Sequence, residues 1–161
     1  MSRFCLDANV LIQAKNGPYG FDIVPRFWTW LDEMSADGTI YSSVMVFNEI
    51  AKGSDELSLW ARERRRSGFF TDPTEEVQRC LAEIADPVIS KYEPQQAEPF
   101  LAGADPWVIA QCRIDSATVV TQEARAGINS KRVKIPNICD AFDVRHVDTY
   151  GMMRALGAKF A

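Results

Sequence analysis

Four acidic side chains, Asp7, Glu49, Asp105 and Glu123, are the residues of this chain whose types and settings could do chemistry together. Asp7 follows Phe4-Cys5-Leu6, and Glu123 lies just past Ala117-Thr118-Val119-Val120-Thr121, so both stand at the ends of short runs of strand formers. In an open parallel sheet, ligands bind beyond the carboxyl ends of the strands, where the connecting loops converge. An acid hemmed in by apolar neighbours is costly there unless a positive group compensates it. Asp7 taken alone is equally compatible with a cap on the helix that follows. Asp105 precedes Pro106, a common helix start, but the helix behind it is apolar nearly all round and its first turn should be packed inside. Glu49 lies on a helix whose Val44, Val46, Phe47, Ile50 and Ala51 form a broad apolar face, so it borders the core; a solvated acid beside Lys52 is the alternative. Together these acids form a set of hard oxygen donors suited to Mg²⁺ or Mn²⁺. Two such ions about 3.5–4 Å apart can activate a water and stabilise the leaving oxygen of an in-line phosphodiester displacement. Without a cation the carboxylates repel one another, and at least one must titrate upward.

The rest of the composition narrows the chemistry. One histidine, His146, cannot supply a catalytic pair or a histidine-rich metal cluster, and its alternating surroundings Val144-Arg145-His146-Val147 read as a strand. Cys5, Cys80, Cys112 and Cys139 are widely separated among apolar neighbours, which suits buried free thiols rather than a zinc site. The net charge of −4, with 18 basic and 22 acidic residues, is not that of a uniformly basic nucleic-acid glove, yet four clustered carboxylates would account for it alone. Asp7 interrupts the N-terminus before a secretory apolar region could form, and no apolar run approaches the roughly 18 residues that span a bilayer. The expectation is a cytoplasmic protein with no membrane partner.

The elements that must position the acids read as one α/β domain spanning residues 1–161, with a central parallel sheet of four to five strands and helices on both faces. Strands are expected at Arg3–Leu6, Thr39–Ser42, Ala117–Thr121 and Val144–Val147. Helices are expected at Asn9–Lys15, Pro25–Asp37, Ser43–Lys52, Asp55–Ser67, Thr74–Ala85, from Asp105 to about Asp115, and at Asp148–Leu156. A further helix could begin at Glu123, and the polar, proline-bearing Lys91–Pro99 reads as a surface loop.

The ordered blocks LDANVLI (Leu6–Ile12), PRFWTWL (Pro25–Leu31), NEIAKG (Asn48–Gly53), DELSLW (Asp55–Trp60), ADPWVIA (Ala104–Ala110), VVTQE (Val119–Glu123) and IPNIC (Ile135–Cys139) resemble the PIN-domain superfamily, the PilT N-terminus-like nucleases. The resemblance is to a branch catalogued without a known function and covers nearly the whole chain. It implies a PIN-like fold and a metal-dependent ribonuclease site in which Asp7, Glu49 and Asp105 match the three core acids. Asn9 matches the polar partner near the first acid and Thr121 the hydroxyl near the fourth. Many of these nucleases carry aspartate where this chain has Glu123, and Asp140 and Asp143 are the fallback fourth acids. The resemblance also suggests the toxin of a type II toxin–antitoxin pair, held by a cognate antitoxin; RNA processing or quality control is another role of such domains.

Arg62, Arg65 and Arg66, expected to share a helical face, and Lys131, Arg132 and Lys134 are candidate phosphate contacts for RNA; solvated or ion-paired surface is the competing reading for each cluster. Phe27-Trp28-Thr29-Trp30 could stack bases, but helical spacing assigns Phe27 and Trp30 to the core or to a homodimer surface. Two other functions fit parts of the pattern. A phosphatase with Asp7 as nucleophile would need an acid at position 9, where this chain has Asn9. A non-catalytic module would keep the fold without metal-dependent cleavage.

Overall fold

The computed structural model describes residues 2–160. Five strands, β1 (Phe4–Leu6), β2 (Ile40–Ser43), β3 (Phe70–Thr71), β4 (Thr118–Val120) and β5 (His146–Val147), form one sheet in the order β3-β2-β1-β4-β5. Every neighbouring pair runs parallel, with Leu6 opposite Ser42 on one side and Val120 on the other. The α/β class and the parallel sheet therefore match the expectation. The chain moves outward from β1 to β2 and β3, then returns to lay β4 and β5 on the opposite side. The reversal of strand order thus falls between β1 and β4, where open α/β sheets form their ligand crevice.

Every residue of β1, β2 and β4 is buried. Because successive side chains point to opposite faces, both faces of the central sheet must be covered. The described helices are α1 (Ala8–Asn16), α2 (Pro25–Ala36), α3 (Val44–Ala51), α4 (Glu56–Glu63), α5 (Glu75–Lys91), α6 (Pro94–Ala102), α7 (Asp105–Asp115), α8 (Ile135–Ala141) and α9 (Thr149–Ala155). Their starts follow from local chemistry. Proline stands in the first turn of α2, and the Ser43, Asp55, Thr74 and Asp148 side chains accept a backbone N–H from the first turns of α3, α4, α5 and α9. Phe27, Trp28 and Trp30 are all buried, and the Trp28 indole donates to the Tyr19 carbonyl at 2.7 Å. The aromatic stretch is core and offers no free ring faces to a base. All four cysteines are free and buried, and His146 lies in a strand, as expected.

The structure corrects several expected boundaries. Helix α5 runs past Ala85 to Lys91 with Pro87 inside it, because the buried stripe Val77, Cys80, Ile84 and Val88 continues across the proline and its packing outweighs one lost backbone bond. Lys91–Pro99 is not a loop: Pro94 opens α6, which buries Ala97 and Phe100. Helix α4 stops at Glu63, and the chain turns through Arg64 and Arg65. The short β3 and α8 were not anticipated as elements. Among the described residues, no helix is long and apolar enough to cross a membrane.

Candidate metal centre

Asp7 is the first residue beyond β1. Its N–H donates to the Val120 carbonyl at 3.0 Å, which extends the β1–β4 ladder by one residue and sets Asp7 beside the end of β4. There the Thr121 hydroxyl donates to Asp7 Oδ2 at 3.0 Å. Asp7 has the extended backbone of a helix cap, yet its side chain makes no capping bond to α1. Only 1% of the residue is exposed. The cap reading is thereby set aside: the carboxyl group faces the sheet crevice.

Asp105 opens α7, one residue inside the helix rather than at the cap, which is Ala104. Its carboxyl lies within hydrogen-bonding reach of that of Asp7. Burial, then the charges of Glu123 and Glu49, push the Asp105 carboxyl up to about 6, against the opposing influence of Asp7's hydrogen bond and of Lys134. Burial, then the charge of Asp105, holds Asp7 well above the usual carboxylate range; the Thr121 hydroxyl and the Ala8 N–H pull the other way. Burial and mutual repulsion therefore favour keeping a proton within the metal-free pair.

The two glutamates flank this pair. Glu49 is exposed at the rim, and its Oε1 accepts the Ala104 N–H at 2.9 Å, tying α3 to the start of α7. Gly103 eases the approach, since a Cβ there would lie 3.3 Å from Glu49 Oε1, tighter than an ordinary contact. Glu123 does not begin a helix; it lies in the connection between β4 and α8. Its N–H donates to Thr121 Oγ1 at 3.2 Å and its Oε1 accepts the Ile135 N–H at 2.9 Å. Thr121 thus touches the first acid through its proton and the fourth through its oxygen. Asn9 accepts the Gln122 N–H at 3.1 Å, so its side chain clamps the β4 loop onto α1. Gln122 in turn accepts from both the N–H and the hydroxyl of Thr149, at 3.0 and 2.9 Å, fixing α9 beside the same loop.

The chemistry of this donor set fits a hard divalent cation: the four carboxylates act on one another at one end of the sheet, and buried Asp7 has no cationic hydrogen-bonding partner among the described residues. As the side chains stand, no group of three or more His, Cys, Asp or Glu among the described residues is arranged to hold a metal ion. The reason is visible in the hydrogen bonds, since Glu49 and Glu123 each hold a backbone N–H with an oxygen that a cation would need. Full ligation therefore requires those two flexible side chains to turn inward, while Asp7 and Asp105 already meet.

The fallback acids lie elsewhere. Asp140 is gripped by Arg125 at 2.6 and 3.1 Å and by His146 at 3.1 Å, and the guanidinium beside it holds its carboxyl down at about 2. Asp143 occupies a left-handed turn (φ 55°) after α8. The charges acting most strongly on Asp7 and Asp105 come from each other, Glu49 and Glu123. Burial and the charges of Asp140 and Asp7 push the Cys139 thiol up to about 12, so it stays protonated and inert.

The arginine cluster does not form the expected helical face, because α4 ends at Glu63. Arg62 is spent on the carbonyls of Ala51 (2.6 Å) and Gly53 (2.5 Å), while Arg65 pairs with Asp72 at 3.7 Å and lies over the Phe47 ring. Arg66 is exposed beyond the helix. Of the second cluster, Lys131 and Arg132 are exposed in the β4–α8 connection, and Lys134 precedes α8 close enough to act on Asp105. The backbone N–H groups of Ala104 and Ile135, which hold the two glutamates, left no signal in the sequence because any residue but proline supplies one.

Residues 4–160 match the family described as "Domain of unknown function (DUF4411)". No curated protein matches the chain. Among solved structures, the chain is similar to one in FitAB bound to an IR36 DNA fragment, with a TM-score of 0.54 and 18% identity over 90% of this chain and 94% of that one. It is similar also to one in FitAcB from Neisseria gonorrhoeae, with a TM-score of 0.53 and 18% identity over 91% of this chain and 98% of that one. At that identity the likeness is one of fold, and it agrees with a PIN-like α/β domain.

Proposed function

The chain belongs to the DUF4411 family, and we propose that it is a Mg²⁺- or Mn²⁺-dependent endoribonuclease whose cation is held by Asp7, Glu49, Asp105 and Glu123. The observation that carries this reading is the meeting of buried Asp7 with Asp105 at the switch point between β1 and β4, under the charges of Glu49 and Glu123. Uncompensated carboxylates packed together weaken the fold unless a cation gathers them. When bound, a divalent cation supplies the charge that draws phosphate oxygens into the site and acidifies a water.

The chain's own residues prepare that centre. Thr121 orients Asp7 through its hydroxyl and fixes Glu123 through its oxygen. Asn9 and Gln122 hold the β4 loop between α1 and α9, so the crevice cannot open at that edge without breaking both contacts. Lys134 places a positive charge on the side of Asp105, where an incoming phosphate would otherwise meet only acids. The role of type II toxin with a cognate antitoxin comes from the motif resemblance, and the fold shared with chains of FitAB and FitAcB supports it.

One observation favours the other reading, a non-catalytic module: Glu49 and Glu123 already serve as backbone ties. Incubation of labelled single-stranded and structured RNAs with Mn²⁺ or with chelator separates the two. The nuclease reading expects cleavage with Mn²⁺, none with chelator, and none from Asp7→Asn or Asp105→Asn. Cleavage that persists in both variants would overturn it, as would a folded parent protein that leaves every RNA intact with Mn²⁺.

A further inference from the structure

We propose that Lys91, Lys131 and Arg132 form an anchoring site for the phosphodiester backbone of single-stranded RNA, separate from the acidic centre and one helix length away from it. The site is a cavity of about 430 Å³ where the β4–α8 connection faces the junction of α5 and α6. Its wall includes Lys91 at the last turn of α5, Tyr92 and Glu93 behind it, and Lys131 and Arg132 from the opposite side. Two segments some 40 residues apart in the chain thus bring three cations to one hollow of a protein whose net charge is −4. Among the described residues, none of the three is in an ion pair, whereas Arg3, Lys15, Arg26, Arg64, Arg65, Arg113 and Arg125 all are. Glu93 is the one acid in the wall and leaves the hollow with a net positive charge.

The connection that presents Lys131 and Arg132 is built to hold them in place. Asn137 grips Ala126 from both sides, accepting its N–H at 2.8 Å and donating to its carbonyl at 3.1 Å, and in the metal-free protein Glu123 also accepts the Ile135 N–H across the base. A turn bond from Ser130 N–H to the Gly127 carbonyl shapes the tip. Side chains on such a pinned loop lose little backbone freedom when they bind.

Two observations favour nucleic acid over an acidic protein segment. Tyr92, partly buried, stands in the same wall with the Lys91 ammonium 5.8 Å from its ring centre, so an aromatic face and a cation already share the place where a base and its phosphate would lie. The hollow also leads to the acids along two routes. Helix α6 runs from Glu93 to the Gly103–Ala104 turn that Glu49 holds, roughly 14 Å for its nine residues. Lys134, two residues after Arg132, acts directly on Asp105. A strand seated on the three cations would therefore reach the centre within a few nucleotides. The identity of the strand as RNA rests on the nuclease reading; the anion site does not.

The test is fluorescence anisotropy of a labelled single-stranded RNA against the full chain in chelator, across a salt series, so that no cleavage is needed. The variant Lys91→Ala/Lys131→Ala/Arg132→Ala should bind at least about tenfold more weakly. Each phosphate contact contributes about 0.7 to the slope of log affinity against log salt, so losing three should flatten it by about 2. Lys131→Arg should bind like the parent, and the single Arg132→Glu reports the same loss should the triple variant be unstable. Unchanged affinity, or weaker binding with an unchanged slope, would overturn the proposal. So would loss of polyglutamate binding with RNA binding intact, which would make the hollow a receptor for an acidic chain. If the parent binds RNA through these residues but never cleaves it, the nuclease reading fails and this site stands; if the parent cleaves and the triple variant binds normally, the reverse holds.

Discussion

Replacing Asp105 with asparagine removes a carboxyl that burial and the charges of Glu123 and Glu49 push up from 3.8 to about 6. A carboxyl raised in the folded state contributes its full stability below its unfolded-state pKa and loses it as pH rises through the folded-state value. The gap from 3.8 to about 6, at about 1.36 kcal/mol per pH unit, corresponds to about 3 kcal/mol of destabilisation in the metal-free protein at pH 7.5. Asp105→Asn is therefore expected to be more stable than the parent by about 2–3 kcal/mol at pH 7.5, the lower figure allowing for relaxation of the cluster. The advantage should shrink between pH 6 and pH 4 and vanish below that. Urea unfolding followed by tryptophan fluorescence in chelator, at three pH values, measures it directly. Adding Mn²⁺ at 1,000 times its dissociation constant should reverse the order: a ligand then adds about 4.1 kcal/mol to the state that binds it, and only the parent should gain. A variant that is less stable than the parent at pH 7.5, or whose advantage does not change with pH, would refute the electrostatic reasoning.

Thr121→Val removes the hydroxyl that orients Asp7 and anchors the Glu123 N–H; kcat/KM for RNA cleavage should fall by about 10–100-fold, with a matching loss of Mn²⁺ affinity by calorimetry. Gly103→Ala brings a Cβ to 3.3 Å from Glu49 Oε1 and so crowds the tie to the Ala104 N–H that a cation must break; Mn²⁺ titration should show binding at least as tight as the parent's, while thermal unfolding moves by less than the roughly 4 °C that about 1 kcal/mol produces in a domain of this size. Asp140→Asn should leave cleavage within about twofold of the parent, because that carboxylate serves Arg125 and His146 and not the acidic centre.

The parts of this architecture that local chemistry dictates were readable in one dimension. Ser43 before Val44-Met45-Val46 is a cap before an apolar helix, and Phe4-Cys5-Leu6 followed by an acid is a buried strand leading into a crevice; both stand in the structure as read. What decides Asp7 was not readable, because its partner Thr121 is 114 positions away and only the β1–β4 pairing brings them together. Glu123 misled because an acid after a strand resembles a helix start, whereas a hydrogen bond to the Ile135 N–H closes a loop there. Prolines misled twice in the same way. Pro87 and Pro99 each forfeit one backbone bond inside a helix, but the buried rows through Ile84–Val88 and Ala97–Phe100 hold those helices together. The arginine run read as a helical face because Arg62, Arg65 and Arg66 keep helical spacing, yet Arg64 reaches back to Asp32 at 2.6 and 2.7 Å and the helix ends beneath it. Two-residue β3 carries too little pattern to be distinguished from a loop without its partner β2.

A crystal of the parent protein soaked in Mn²⁺ and measured at the manganese absorption edge puts the shared-cation claim to its most direct trial. The account predicts an anomalous peak bridging the Asp7 and Asp105 carboxylates, with Glu49 or Glu123 released from its backbone N–H and turned toward it, and no such peak in Asp7→Asn. Manganese bound only at other carboxylates, or a peak that survives undiminished in Asp7→Asn, would contradict it.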